Sequence, residues 1–144
     1  MELKVKRLTK TARVPRYHSD WASGLDLHAD NNYSILPGQV MLVSTGIAVE
    51  IPYGFEGQIR PRSGLSLRFP NYIANSPGTI DSDYRGEIKI IIVNNTKDRN
   101  FVIKQGDRIA QLVITPVVWC EIEVVDKLTK TKRNTNGFNS TGIK

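Results

Sequence analysis

The chain has 144 residues and a mass of 16.2 kDa, enough for about one domain burying roughly 68–70% of its unfolded surface, and a second full domain is excluded. With 40% hydrophobic and 24% charged residues, and no apolar run near the roughly 20 residues that a bilayer-spanning helix needs, no membrane partner is expected. The 20 Lys and Arg against 14 Asp and Glu leave a formal charge of +6 and a pI near 9.6; this suggests a polyanion, nucleic acid first and nucleotide phosphates second, or simply solvated surface.

In chain order, Met1-Glu-Leu-Lys-Val-Lys-Arg7 mixes charge with apolar alternation and does not read as a secretory leader. Short, β-branched, often alternating runs follow at Val40 and Leu42, 46–51, 55–59, 88–93, 101–103, 109–118 and 122–125, each of strand character. Leu36-Pro-Gly38, Pro52-Tyr-Gly54, Asn94-Asn95 and Gln105-Gly-Asp107 punctuate them as reversals. The spacing predicts an all-β sandwich or barrel. Only 63–69 reads as helix, one or two turns capped by Ser63 and carrying Leu65, Leu67 and Phe69. Cys120 is the sole cysteine, so an intrachain disulfide and a cysteine-built zinc site are both excluded, and a reducing, cytoplasmic setting is expected. His18 and His28 are expected at the surface or in turns.

Residues 127–144 hold few sizeable apolar side chains among Gly, Asn, Thr and Ser. Such a segment cannot offset its ordering entropy alone and is expected to be a mobile arm on a domain spanning 1–126. Gly137 and Gly142 have the spacing of P-loop glycines, but Ile143 stands where the lysine belongs and the chain ends where the helix should start, so a P-loop is rejected.

Five segments carry residues that turns and strands do not require. Ala22-Ser-Gly-Leu-Asp-Leu27 places Asp26 between leucines, either satisfied by a nearby turn or part of a site. Arg60-Pro-Arg-Ser-Gly-Leu65 puts a guanidinium beside a helix start, an arrangement suited to anions. Asn75-Ser-Pro-Gly-Thr-Ile-Asp-Ser-Asp-Tyr-Arg-Gly-Glu87 reads as a hairpin, either merely acidic or a site, and contains Asp81 and Asp83, which would face opposite ways if extended. Gly106-Asp-Arg-Ile-Ala-Gln-Leu112 carries Gln111 in an apolar run, the mark of an edge position or of a polar contact. The fifth is Arg133-Asn-Thr-Asn-Gly-Phe-Asn-Ser-Thr-Gly142.

In this order the five segments resemble the five motifs of the trimeric dUTPase family, over nearly the whole chain and most specifically at Gly78-Thr-Ile-Asp-Ser-Asp-Tyr-Arg-Gly86. The resemblance implies a jelly-roll-like β-barrel or sandwich with one short helix and a flexible C-terminal arm, assembled as a homotrimer whose active sites are shared between subunits. It implies hydrolysis of dUTP to dUMP and pyrophosphate with Mg2+, which limits uracil in DNA and supplies dUMP for thymidylate synthesis. Asp81 is then the base that activates water, and Asp26 an outer-shell partner of the magnesium through water. Asn75, Gly78, Thr79, Ile80 and Lys89 receive uracil, Tyr84 supports the deoxyribose, and Phe138 stacks on the base. Arg62, Ser63, Gly64 and Gln111 hold the triphosphate, joined by Arg133, Ser140 and Thr141 from the arm. Asn134, Asn136 and Asn139 replace glycines usual in the family's arm; asparagine tolerates positive φ better than other side chains. The related dCTP deaminases share the fold but carry Pro-Gly-like residues where this chain has Ser82-Asp83, use a glutamate base and lack the arm motif. A catalytically idle nucleotide-binding trimer is the other alternative, and the presence of Arg62, Asp81 and Tyr84 argues against it. A nucleic-acid module rests on charge alone, with no interleaved aromatics.

Overall fold

The computed structural model describes residues 1–137. Eleven strands and one helix follow in order: β1 (Lys4–Arg7), β2 (Leu25–His28), β3 (Tyr33–Ile35), β4 (Val40–Ser44), β5 (Ile47–Glu50), β6 (Phe55–Arg60), α1 (Ser63–Arg68), β7 (Asn71–Ile73), β8 (Gly78–Ile80), β9 (Lys89–Asn94), β10 (Phe101–Ile103) and β11 (Arg108–Pro116). All pairings are antiparallel, in a four-stranded sheet β2-β11-β6-β8, a three-stranded sheet β4-β9-β7, and two pairs, β1-β5 and β10-β3. The arrangement is the expected jelly-roll-like all-β fold.

The alternating runs work as period-2 patterns should. Ile90 and Ile92 of β9 are buried with Val43, Ile47, Ile88 and Leu112 in one core, while Lys89 stays exposed and Ile91 half-exposed on the other face. Gly57 sits where Leu112 and Ile51 press against β6; a Cβ there would come within 2.8 and 2.9 Å of their terminal methyls, so a larger residue would push both side chains aside where the layers close.

Several expectations need correction. Residues 122–125 form no strand; Ile122 and Val124 are 92% and 95% exposed. Their alternation is that of a strand, but among the described residues they pair with none of the sheets. Ser63 is not the helix cap: Arg62 occupies that position without a side-chain capping bond, and Ser63 is the first helical residue. Gln111 is not at an edge but on β11, between β2 and β6. The 75–89 segment is not a hairpin of paired strands. Its first limb, β8, pairs with β6, whereas β9 pairs with β4 and β7, so the segment crosses from one sheet to the other.

His28 is 7% exposed on β2, and its Nδ1 has no partner. Local pattern did not reveal this burial, because it depends on distant segments packing over β2. Burial, and next the charge of Arg13, push the imidazole below its ordinary pKa, while Asp26 opposes them. The folded state therefore binds fewer protons than the unfolded one just below the ordinary histidine value of 6.5, and stability falls as pH drops through that window. Thermal unfolding between pH 7 and 5 should show this loss, and His28→Leu should flatten it; an unchanged slope would remove His28 from the account.

Candidate active site

The predicted site residues fall into two groups. One cavity, of about 410 Å3, is lined by Asn75, Thr79, Ile80, Asp81, Tyr84 and Lys89, together with Leu42 and Glu87. Gly78 lies beneath it: a Cβ at that position would meet the Asn75 amide nitrogen at 2.9 Å, so the glycine is what allows the amide to lie across β8. Asp81 and Asp83 do not extend to opposite faces. The chain turns, with the Tyr84 N–H bonded to the Asp81 carbonyl at 3.1 Å, and Arg85 Nη1 donates to the Ser82 carbonyl at 2.7 Å to hold the bend. Asp81 is left exposed at the cavity wall, where an ionised carboxylate can reach a water. Asp83 faces a neighbouring recess with Tyr53 and Trp119, and Asp81 stands on the wall between the two.

The Tyr84 ring lies directly over Gly86, where any Cβ would collide with the phenol, and its hydroxyl donates to the Glu87 carbonyl at 3.0 Å. A flat aromatic face is thus presented half-exposed to the cavity.

A second cavity, of about 320 Å3, gathers Arg62, Ser63, Gly64, Gln111 and Asp26 with His18, Ser23 and Gly24. Register explains the grouping: Gln111 on β11 stands opposite Asp26 of β2 on one side and Arg60 of β6 on the other, and residues opposite each other share a face. The chain leaves β6 through Pro61 into α1, which brings Arg62 and Ser63 to the same end of the sheet. Gln111 Nε2 donates to the Pro61 carbonyl at 2.8 Å. Gly24 makes room for it, since a Cβ there would strike Gln111 Oε1.

Asp26 is 8% exposed and its carboxylate is fully engaged. Arg62 Nε donates to Oδ1 at 2.9 Å, Arg108 Nη1 to Oδ2 at 3.1 Å, and His18 Nε2 lies 3.5 Å from Oδ2. The ion pairs are partly buried, so the charge-assisted bonds hold Arg62 in one geometry rather than only balancing charge. Among the described residues no three His, Cys, Asp or Glu side chains gather to hold a metal ion. A magnesium ion that takes its ligands from phosphates and water needs no such cage; the carboxylate in this cavity that could meet one through water is Asp26.

The two cavities share no lining residue. Arg133 reaches neither: it lies in a turn of its own segment, with its Nε donating to the Asn136 carbonyl at 2.9 Å. Within that turn Asn134 adopts φ of +49°, the left-handed conformation for which asparagine is suited in place of glycine. Phe138, Ser140, Thr141 and Asn139 lie outside the described residues. Leu42 and Glu87 were missed by sequence reasoning. Leu42 is an ordinary strand residue 33 positions before Asn75 with nothing to single it out, whereas the carboxylate of Glu87, directly before a buried isoleucine, was a signal that could have been followed.

The dUTPase family model matches residues 10–142. The chain belongs to the dUTPase family. The deoxyuridine 5'-triphosphate nucleotidohydrolase of Syntrophotalea carbinolica is 52% identical over 98% of this chain and 97% of its own length, and that of Nautilia profundicola is 49% identical over 99% of each. Among solved structures, the Staphylococcus bacteriophage 80alpha dUTPase with dUPNHPP is 30% identical, with a TM-score of 0.91 and 99% of each chain covered. A mutant dUTPase from phage phi11 of S. aureus, described with a structural Mg(II) ion, is 27% identical with a TM-score of 0.83, covering 90% of this chain and 100% of that one. This dUTPase is therefore an enzyme of dUTP hydrolysis. Among the described residues no helix is long and apolar enough to cross a membrane.

Proposed function

We propose that the enzyme hydrolyses dUTP to dUMP and pyrophosphate in sites shared between the subunits of a homotrimer. The observation that carries this reading is the division of the predicted residues between two separate cavities of one chain. The Asn75–Lys89 cavity of one copy would take uracil and deoxyribose, while the Arg62–Gln111 cavity of a second would take the triphosphate. Ile122 and Val124, apolar and fully exposed, supply a reason for the copies to stay together, since such side chains are expected to be covered.

In that composite site Asp81 accepts the proton of the water that attacks the α-phosphorus. Tyr84 packs against the deoxyribose and leaves no space for a ribose 2'-hydroxyl. The Asn75 amide and backbone groups near Gly78, Thr79, Ile80 and Lys89 pair with uracil. A donor set matched to a carbonyl at position 4 is left unpaired by cytosine's amino group, a costly mismatch in a closed pocket. Arg62, Ser63, Gly64 and Gln111 hold the phosphates in line, with Asp26 fixing Arg62; Asp26 would also meet a bound magnesium ion through water. A magnesium ion travelling with the substrate would supply positive charge against the departing pyrophosphate. The arm of residues 127–144, with Arg133, Phe138, Ser140 and Thr141, closes over the nucleotide and excludes bulk water. The reaction keeps uracil out of DNA and yields dUMP for thymidylate synthesis, in the cytoplasm.

Pyrophosphate release from dUTP, dCTP, dTTP and UTP with magnesium tests the reading. Discrimination against dCTP and UTP by about 10^4 is expected where donors are left unpaired or a hydroxyl cannot be seated. Comparable turnover of either would overturn it.

A further inference from the structure

Glu87 lies at the exit of the 75–89 segment, and three contacts converge on it. Its Oε1 accepts the Gly46 N–H at 2.9 Å, its Oε2 lies 3.4 Å from Lys89 Nζ, and its carbonyl accepts the Tyr84 hydroxyl at 3.0 Å. The next residue continues the seam, with the Ile88 N–H bonded to the Ile47 carbonyl at 2.9 Å. The partner at Gly46 is a fixed reference. Gly46 has φ of +67°, a Cβ there would come within 2.8 Å of both Ala12 and Asp30, and its carbonyl accepts the Leu8 N–H at 2.7 Å, so the turn is closely packed and tied apart from its bond to Glu87.

We propose that Glu87 is the positioning residue for sugar recognition: it pins the end of the 75–89 segment to the Gly46 turn and thereby sets where the Tyr84 ring stands. This rests on the reading of Tyr84 as the deoxyribose support. The ring is attached to the molecule through a short exposed turn and one hydroxyl bond, and that bond ends on the Glu87 backbone. Without the carboxylate, the Gly46 N–H loses its acceptor and Lys89 its counter-charge. The Glu87 carbonyl is then held only through its own peptide's Ile88 N–H bond to the Ile47 carbonyl and can tilt about that bond, and the ring with it. A shift of a few tenths of an ångström opens the space that excludes a 2'-hydroxyl, so the loss falls on sugar discrimination and not on the chemical step at Asp81.

The test compares dUTP with UTP in pyrophosphate-release kinetics. Glu87→Ala is expected to lower the preference in kcat/KM for dUTP over UTP by about tenfold, chiefly through KM, with kcat on dUTP changed by less than about threefold. Glu87→Gln keeps an acceptor for the Gly46 N–H and should retain the preference to within about twofold. Glu87→Ala with wild-type preference would overturn the inference, and so would Glu87→Gln losing as much as Glu87→Ala. Should Glu87→Ala fail to fold, Tyr84→Phe carries the test: it removes only the hydroxyl tie and should lower the preference by about threefold, and an unchanged preference would again overturn the proposal. Tyr84→Ala separates the two levels of the argument. If it leaves sugar preference intact, the reading of the ring as sugar support fails; if it abolishes preference while Glu87→Ala does not, only the role of Glu87 fails.

Discussion

Asp81→Asn should lower kcat by about three orders of magnitude while leaving nucleotide binding nearly unchanged. The substitution is isosteric, so the turn closed by Tyr84 N–H on the Asp81 carbonyl is kept, and the side chain remains at the wall of the same cavity. What is lost is the capacity to accept a proton, since a neutral amide cannot act as a base. Titration calorimetry with a non-hydrolysable dUTP analogue alongside steady-state kinetics separates the effects. Turnover within tenfold of wild type would mean that another group activates the water.

Arg62→Ala should cut kcat/KM by about a hundredfold, as expected when a positioned cationic donor to the reacting phosphates is removed. The sharper result comes from mixing. Asp81→Asn chains retain an intact Arg62 cavity, and Arg62→Ala chains retain an intact Asp81 cavity. If each site draws its two halves from neighbouring chains, co-refolding equal amounts should restore activity in about a quarter of the sites, the chance that an unaltered half meets an unaltered half in a cyclic assembly. No recovery, with mixed assemblies confirmed by native mass spectrometry, would place both halves of the site in a single chain. The fold of the Arg62→Ala chain is expected to hold, because Arg108 and His18 still face the Asp26 carboxylate.

These experiments depend on features that differ in how far they could be read from residues alone. Strand β10 and most of β6, β9 and β11 follow from alternation of β-branched residues, because burial on one face of a sheet leaves a period of two in any chain. The site residues were legible for another reason: their chemistry is carried by identity and order, and Asp26, Arg62, Asp81 and Gln111 sit in runs that structure alone would not demand. Pairing was not legible. Nothing in Gly78-Thr-Ile80 says that it joins β6 while Lys89 and its followers join β4, since partners are chosen by three-dimensional closure. The same limit hid His28, which distant segments cover, and it made residues 122–125 read as a strand although they pair with none of the chain's described strands.

The engagement of Asp26 by two guanidiniums has a consequence in charge. Arg62 lines the second cavity with Asp26, and Arg108 reaches the same carboxylate from beside it, so under the proposed reading these three charges sum to one against a triphosphate that carries several. The pocket is well ordered but weakly attractive. In the proposed site the remaining neutralisation falls to a divalent cation travelling with the substrate and to the basic side chains of the arm, among them Lys127, Lys130, Lys132 and Arg133. Once hydrolysis splits the chain of phosphates, dUMP and pyrophosphate each carry part of that charge and the cation can leave with one of them. A cavity of low net charge then has little hold on either product, and release is favoured by the same pairing that keeps Arg62 in place.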